Sequence, residues 1–523
     1  MRRFNVTGTC VPEEDYMVNI TEKLVQIKAM VDRREYFTIN RGRQYGKTTT
    51  LSRLRHFLAD KYTVIFLSFE GFDDEEFANA EVFCQTLLES ISQALSFTSV
   101  SEDYRNAWLN EKVKTFSALS RHMTKMCEGK KLVLVIDEVD KVSNNRVFLG
   151  FLSKLREKFL ARRDGRDFTF HSVILAGVYD IRNIKLKLIQ EGLHTPSANE
   201  TTTYNSPWNI AADFDVVMSF SPVEIETMLN EYEKDYEMGV NIAEIAKEIY
   251  SYTGGYPVLV SRICKYIDEK LEKDWRLYGI RKAVNLVLKE NSPLFESLVK
   301  NLASNQELSD MTYDVLMRGG QWTFTYANPM VGLGARYGYF KDVHGRVKIS
   351  NKIFEMMIVE YFVSQDQLKR LSPTVGMDFQ SDIVDSDGKF NMQVCLEKFA
   401  KYYHEHYSEK DIDFLHDEAR YFLLFFLNPL LNGRGFVHPE SEFTDGRRMD
   451  LVVSYLDQQF IIELKIWRGE KRHDEGYTQL LGYIDKKNLK EGYLLTFDFR
   501  ENKQVQQNWV EIADGKRIFD IRI

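Results

Sequence analysis

Up to Gly177 the chain alternates short apolar, β-branched runs with longer stretches of helical spacing. The runs are Tyr36–Asn40, Thr63–Phe69, the one ending at Asp137, and Phe168–Ala176. Between them the spacing predicts helices over Asn19–Met30, Thr48–Tyr62, much of 73–127, and Arg146–Ala161. Continuous apolar runs separated by helices indicate βαβ units and a parallel sheet buried on both faces. A further strand is expected at Phe214–Phe220, after a polar surface loop over 192–207.

From Ser221-Pro222 the pattern turns helical, with Pro at a first helical position. It is broken at Thr253-Gly-Gly-Tyr-Pro257 and then mixes helices with a hairpin-like part, Gln321–Ser350. Residues 364–395 have weak periodicity and read as a linker or bridge. From Leu396 a new unit starts with helices. Strands are then expected at Phe436–Glu442, Arg448–Tyr455, Gln459–Trp467 and Gly492–Phe497. The predicted domains are 1–221, 222–362, the bridge 363–395, and 396–523.

At 523 residues several domains are expected. No apolar run reaches the length of a membrane helix, and the N-terminus lacks a signal-peptide apolar region, so a cytoplasmic protein with no membrane partner is expected. The five scattered cysteines have no metal-ligand spacing and fit a reducing compartment. The net charge of −8 counts against a passive nucleic-acid coat protein, but it leaves room for a local basic site.

Two segments carry nucleotide chemistry. The first is Arg43-Gln-Tyr-Gly-Lys-Thr48, between a strand and a helix. Such a turn offers backbone N–H groups to phosphate oxygens. It adds Lys47 for the β/γ-phosphates and the Thr48 hydroxyl for Mg²⁺, with Gly42, Gly46 and Thr49 completing the cradle. The second is the apolar run that meets Asp137-Glu138. Asp137 is expected to hold Mg²⁺, and Glu138 to orient the attacking water. The loop departs from the common phosphate-loop pattern: Arg41 stands where glycine is usual, and Gly42 comes one residue late. Arg182 is placed either to sense the γ-phosphate or to form a surface ion pair.

A second constellation lies in the last domain. Asp450 heads one expected strand, and Glu463-Leu-Lys465 lies on the next. Alternate residues of a strand share a face, so Glu463 and Lys465 point the same way. A hairpin would bring Asp450 beside Glu463. Two carboxylates can bind Mg²⁺ or Mn²⁺, and a lysine can position or deprotonate a water. Gln479, on a following helix, could face the site. Without that chemistry the same residues would be a surface ion pair. His404 and His406 alternate and could bind metal, although a solvated role is the plainer reading.

The N-terminal half resembles the AAA-ATPase-like family close to archaeal and signal-transduction ATPases. The carrying residues are Arg43–Thr48, Val133-Leu-Val-Ile-Asp-Glu138, Ser206-Pro-Trp-Asn-Ile210 and Thr253–Pro257. The resemblance implies a P-loop core, a helical lid and a winged-helix-like segment, with ATP driving a conformational switch. The C-terminal constellation resembles the PD-(D/E)XK nuclease superfamily. Asp450 matches its aspartate, Glu463-Leu-Lys465 its Glu-X-Lys, and Gln479 its helical glutamine; Met449 stands where proline is usual. That superfamily implies a further acidic ligand, for which Glu418 is the candidate and Glu442 the rival.

The expected protein is an ATP-controlled, Mg²⁺- or Mn²⁺-dependent nuclease acting on nucleic acid, DNA first, in defence against phage or mobile elements. A homo-oligomer that completes the ATP site is among the expected states. The alternatives are an ATP switch or scaffold whose nuclease-like domain binds without cutting, and a repair- or transposon-linked motor.

Overall fold

The computed structural model describes residues 2–139, 145–177, 208–318, 320–370, 383–385, 387–406, 423–424, 426–427, 430–431, 434–439, 451–467, 469–498, 500, 506–512 and 515–523. The chain divides into two compact units, 1–232 with 336–338, and the remainder.

The first unit is built on four parallel strands, β1 (Tyr36–Asn40), β2 (Thr63–Ser68), β3 (Leu132–Asp137) and β4 (Ser172–Gly177), in the order β1-β4-β3-β2. Successive residues feed opposite faces. Leu132, Leu134 and Ile136 pack into one core with Phe83, Phe148 and Trp208. Val133 and Val135 pack into the other with Leu24, Leu51 and Leu54. Helices α1 (Thr21–Asp32) and α2 (Lys47–Leu58) cover this second face. Helices α3 (Ala80–Leu95), α4 (Glu102–Ala107), α5 (Phe116–Cys127) and α6 (Arg146–Arg163) follow in the same unit, and α3, α5 and α6 bury their apolar faces in the first core. Because both faces are covered, the strands carry runs of apolar residues rather than an alternation. Trp208 is fully buried, and its Nε1 donates to Thr38 Oγ1 at 2.9 Å, which fixes the chain against β1.

The expected strand at Phe214–Phe220 is not one. The alternation is real, with Val216 and Met218 buried and Val217 exposed. However, among the described residues its backbone pairs with β1 only in a bridge between Ala212 and Phe37, and the Val216 carbonyl is taken by the Arg41 side chain at 3.2 Å. The strand at Phe168–Ala176 is also shorter than expected, starting at Ser172.

In the second unit, α7 (Pro222–Asp235), which begins in the first unit, leads to α8 (Ile242–Thr253), α9 (Pro257–Lys270) and α10 (Leu277–Lys289). Then come α11 (Pro293–Ala303), α12 (Gln306–Tyr313) and α13 (Pro329–Tyr337), followed by the antiparallel hairpin β5 (Phe340–Val343) and β6 (Arg346–Ile349). Three helices and a hairpin match the winged-helix-like expectation. Helix α14 (Lys352–Arg370) runs into the region read as a linker, and α15 (Met392–His406) begins inside it.

The last sheet has the order β11-β12-β10-β9-β8-β7. Its strands are β7 (Gly435–Pro439), β8 (Leu451–Tyr455), β9 (Gln458–Ile466), β10 (Glu491–Phe497), β11 (Gln506–Glu511) and β12 (Arg517–Arg522). Strands β9, β10 and β12 are parallel, and antiparallel partners flank them. Helix α16 (Glu470–Lys486) packs Leu480, Tyr483 and Ile484 on Val452, Ile461, Leu494 and Ile518. Strands β11 and β12 were not among the expected elements. Among the described residues no helix is long and apolar enough to cross a membrane. Cys84, Cys127, Cys264 and Cys395 are buried free thiols, and Cys10 is half-buried.

Candidate functional site

At the end of β1 the chain turns through residues 41–46 into α2. Gly46 caps the helix at φ 75°, and Gln44 takes φ 55°. This left-handed turn presents the first N–H groups of α2, which have no partner within the helix and suit an anion. Lys47 is buried, and its Nζ donates to the Arg41 carbonyl at 2.9 Å and the Gly42 carbonyl at 3.1 Å. Thr48 Oγ1 donates to Asp137 Oδ2 at 2.8 Å, and the other Asp137 oxygen accepts from the Glu138 N–H at 2.9 Å.

Glu138 sits at φ 56°. A left-handed conformation at such a residue costs on the order of 1–2 kcal/mol, and strain of this kind concentrates at functional sites. The Thr48 hydroxyl and Asp137 carboxylate are hard oxygen donors, which suit Mg²⁺. They meet at the carboxyl edge of a parallel sheet, with β4 between the two strands that supply them.

Thr49 Oγ1 accepts from the Cys10 N–H at 3.2 Å, so it ties the leading segment to α2. The Arg41 guanidinium is committed to the Asn40 carbonyl at 2.8 Å and the Val216 carbonyl, and lies over the Phe214 ring. Arg182 lies outside the described residues. The Thr253–Pro257 segment is a tight turn between α8 and α9. Gly254 closes α8 at φ 55°, and a Cβ there would stand 2.8 Å from the Ser350 carbonyl oxygen.

In the second unit, strand β9 carries Glu463 and Lys465 on the face covered by α16. Glu463 is fully buried, and Lys465 Nζ lies 2.5 Å from its Oε1. The same Nζ donates to Gln479 Oε1 at 2.7 Å. The structure therefore brings together three of the expected residues. Gly476 makes the approach close: a Cβ there would meet Leu494 Cδ1 at 3.2 Å and Lys465 Cε at 3.3 Å. Hairpin β8–β9 pairs Leu451 with Ile462. Asp450, Glu418 and Glu442 lie outside the described residues, as do the side chains of His404 and His406. Among the described residues, no three His, Cys, Asp or Glu side chains gather closely enough to hold a metal ion.

A polar cluster that the sequence reading missed extends this site toward β12. His473, on α16, places Nε2 2.8 Å from Asp520 Oδ2, and its Nδ1 lies 3.4 Å from Thr496 Oγ1. The Tyr477 hydroxyl donates to the same Asp520 oxygen at 2.7 Å. Burial first, and then that carboxylate, raise the Tyr477 hydroxyl well above the usual tyrosine range, so it stays a donor. Beyond them Trp467 carries Arg522 over its ring at 3.5 Å and Arg500 at 5.0 Å. The available signal was the alternation Ile518-Phe-Asp-Ile-Arg522, which puts Asp520 and Arg522 on one face of a strand.

A parallel sheet with a Lys47–Thr48 helix start facing Asp137 and Glu138 defines a P-loop ATPase-like protein. The chain belongs to the AAA-like domain family, whose model matches residues 19–317. Residues 436–508 match the PD-(D/E)XK nuclease superfamily. No curated protein matches the chain.

Solved structures similar to it include the Walker-type ATPase PABY2304 of Pyrococcus abyssi, at 14% identity, covering 68% of this chain and 99% of that one, with a TM-score of 0.46. The ORC2 protein of Aeropyrum pernix in ADPNP–ADP complexes matches at 13% identity, 69% and 98% coverage, and a TM-score of 0.35. The ORC1 protein of the same organism in complex with DNA matches at 12%, 68% and 95%, and 0.28. The family assignment rests on the family-model match and not on these distant likenesses.

Proposed function

We propose that the protein is an ATP-controlled nuclease that cleaves nucleic-acid phosphodiesters with Mg²⁺ or Mn²⁺. The observation that carries the reading is the Glu463–Lys465–Gln479 chain at the carboxyl end of β9. Burying a carboxylate completely is costly unless it is paired, and a hydrophobic pair of similar volume would stabilise the sheet as well or better. That makes a functional reason for the pair the better one.

In this reading Glu463 and Asp450 hold the metal, with Glu418 or Glu442 as a further ligand. Asp450 directly precedes Leu451 in the sequence and is assigned to the site by its motif position. The metal supplies charge stabilisation at the scissile phosphate and a more acidic water. Lys465 carries its ammonium toward the reacting phosphate and fixes the attacking water. Gln479 holds Lys465 in place. In the first unit Lys47 contacts the β/γ-phosphates while the turn at Gly42–Gly46 and Thr49 encloses them. Thr48 and Asp137 hold Mg²⁺, Glu138 orients water, and Arg182 senses the γ-phosphate. A role in defence against phage or mobile DNA rests on this two-part architecture alone.

The test incubates the full chain with supercoiled plasmid, single-stranded DNA and RNA, in Mg²⁺ or Mn²⁺, with and without ATP. Cleavage is expected, and Lys465→Ala and Glu463→Gln should lower it by at least about a hundredfold, as removal of a catalytic group does. The Lys47→Ala variant reports whether nucleotide controls it. If no substrate is cut under any condition, the reading fails in favour of a switch that binds without cutting.

A further inference from the structure

Among the described residues of the second site, Arg522 makes no hydrogen bond or ion pair, although its charge acts on Asp498 and Tyr477. Strands β9, β10 and β12 are parallel and in register, so Lys465, Thr496 and Arg522 form one row across the sheet. The next row back on this face is Glu463, Leu494 and Asp520, and Ile461, Leu494 and Ile518 pack under α16, which places the Lys465–Arg522 row on that same face. With strands about 4.8 Å apart, the two cationic residues start about 10 Å from each other, within joint reach of one polynucleotide backbone.

The neighbouring charges differ in how they are used. Arg500 is locked to Asp498, with Nε 2.8 Å from Oδ1 and Nη2 2.5 Å from Oδ2, so its charge is offset locally. Asp520 gives Oδ2 to His473 and Tyr477. Arg522 places Cζ 3.5 Å from the Trp467 ring centroid, and among the described residues no hydrogen bond or ion pair holds its guanidinium. Its Nε is buried without a partner. A guanidinium over an indole can still donate to an anion from its terminal N–H groups, and its planar shape suits phosphate.

We propose that Arg522, seated on Trp467, binds a phosphate of the nucleic-acid strand beside the one that Lys465 faces. The inference rests on reading the Glu463–Lys465 site as one that engages nucleic acid, and it holds whether or not the strand is cut. A contact of this kind contributes affinity and register without base preference.

The test measures binding of a fluorescein-labelled oligonucleotide to the full chain by anisotropy in EDTA, over a series of KCl concentrations. Single-stranded DNA, duplex DNA and RNA of one sequence form the arms and identify the source of the phosphate. Arg522→Gln should weaken binding about tenfold and make the slope of log affinity against log salt shallower by about 0.7 to 0.9, the loss of one phosphate contact. Arg522→Lys should keep the slope, and Arg500→Gln should leave it unchanged.

An unchanged slope in R522Q overturns the proposal. So does an equal loss in R500Q, or a parent protein that binds none of the three probes. If R522Q melts early, Arg522→Met, which keeps a stem on Trp467, replaces it. A protein that binds with the predicted slopes but never cleaves would remove the nuclease reading and leave this one standing.

Discussion

Under the proposed function, Gly476 is a position at which stability and activity should part. Replacing glycine by alanine within a helix gains roughly 1 kcal/mol of helix propensity. The new methyl would crowd Lys465 Cε and Leu494 Cδ1 at 3.3 and 3.2 Å. Lys465 is flexible along its stem but tied at Nζ to Glu463 and Gln479. Gly476→Ala is therefore expected to change the melting temperature by only a few degrees while lowering cleavage about tenfold, since small displacements at a reacting group cost rate. A thermal melt beside a cleavage assay checks both halves, and a variant with full activity sinks the argument.

Residues of this kind differ in how legible they were. Glu463, Lys465 and Gln479 follow from local rules, the two-residue period of a strand and the helix after it. His473, Asp520 and Arg522 depend on β12 lying beside β10, a pairing that no local pattern encodes.

At the scale of elements, the turn between α8 and α9 makes a sharp demand. Gly254 combines φ 55° with a backbone oxygen 2.8 Å from any added Cβ, and that oxygen cannot move aside as a side chain would. Strain of about 1 kcal/mol or more from the dihedral adds to an overpacking cost of about 1–3 kcal/mol. Gly254→Ala should lower the melting temperature by several degrees, measured by calorimetry.

A second expectation concerns the approach to β4. His171 packs its ring on Tyr62, and burial, then the Arg34 and Arg162 charges, lower its pKa to about 4. Its unfolded value is about 6.5. Below that value the unfolded chain takes up a proton that the folded one refuses, so stability falls as pH drops from about 6.5 to about 4 and is fully present above. The ring is only half-buried, so solvent screening limits the effect to roughly 1–2 kcal/mol. His171→Gln should flatten that part of the stability–pH curve relative to the parent, and parallel curves would exclude the assignment. The four parallel strands were legible because buried runs are unambiguous. The Phe214–Phe220 run was misread because alternation records burial of every second residue, not a hydrogen-bonded partner.

At the scale of the whole chain, the question is whether the nucleotide site and the nuclease-like site communicate. The chain carries a net charge of −8, so a polynucleotide gains nothing from its overall field and must be held by local cations. An ATP-dependent change in those contacts would then show as a change in affinity. Linkage makes this strict: if bound nucleotide alters nucleic-acid affinity by some factor, nucleic acid must alter nucleotide affinity by the same factor. A switch of ordinary strength, on the order of 1–3 kcal/mol, corresponds to a factor of about 5–150. The expected outcome is equal factors from two titrations on the Lys465→Ala chain, one of labelled oligonucleotide with and without a non-hydrolysable ATP analogue, the other of labelled analogue with and without oligonucleotide. Lys47→Ala should bring the first factor to one. Factors near one in the parent would mean that the two domains share a chain without sharing a switch, and ATP control would have to be abandoned even if cleavage were found.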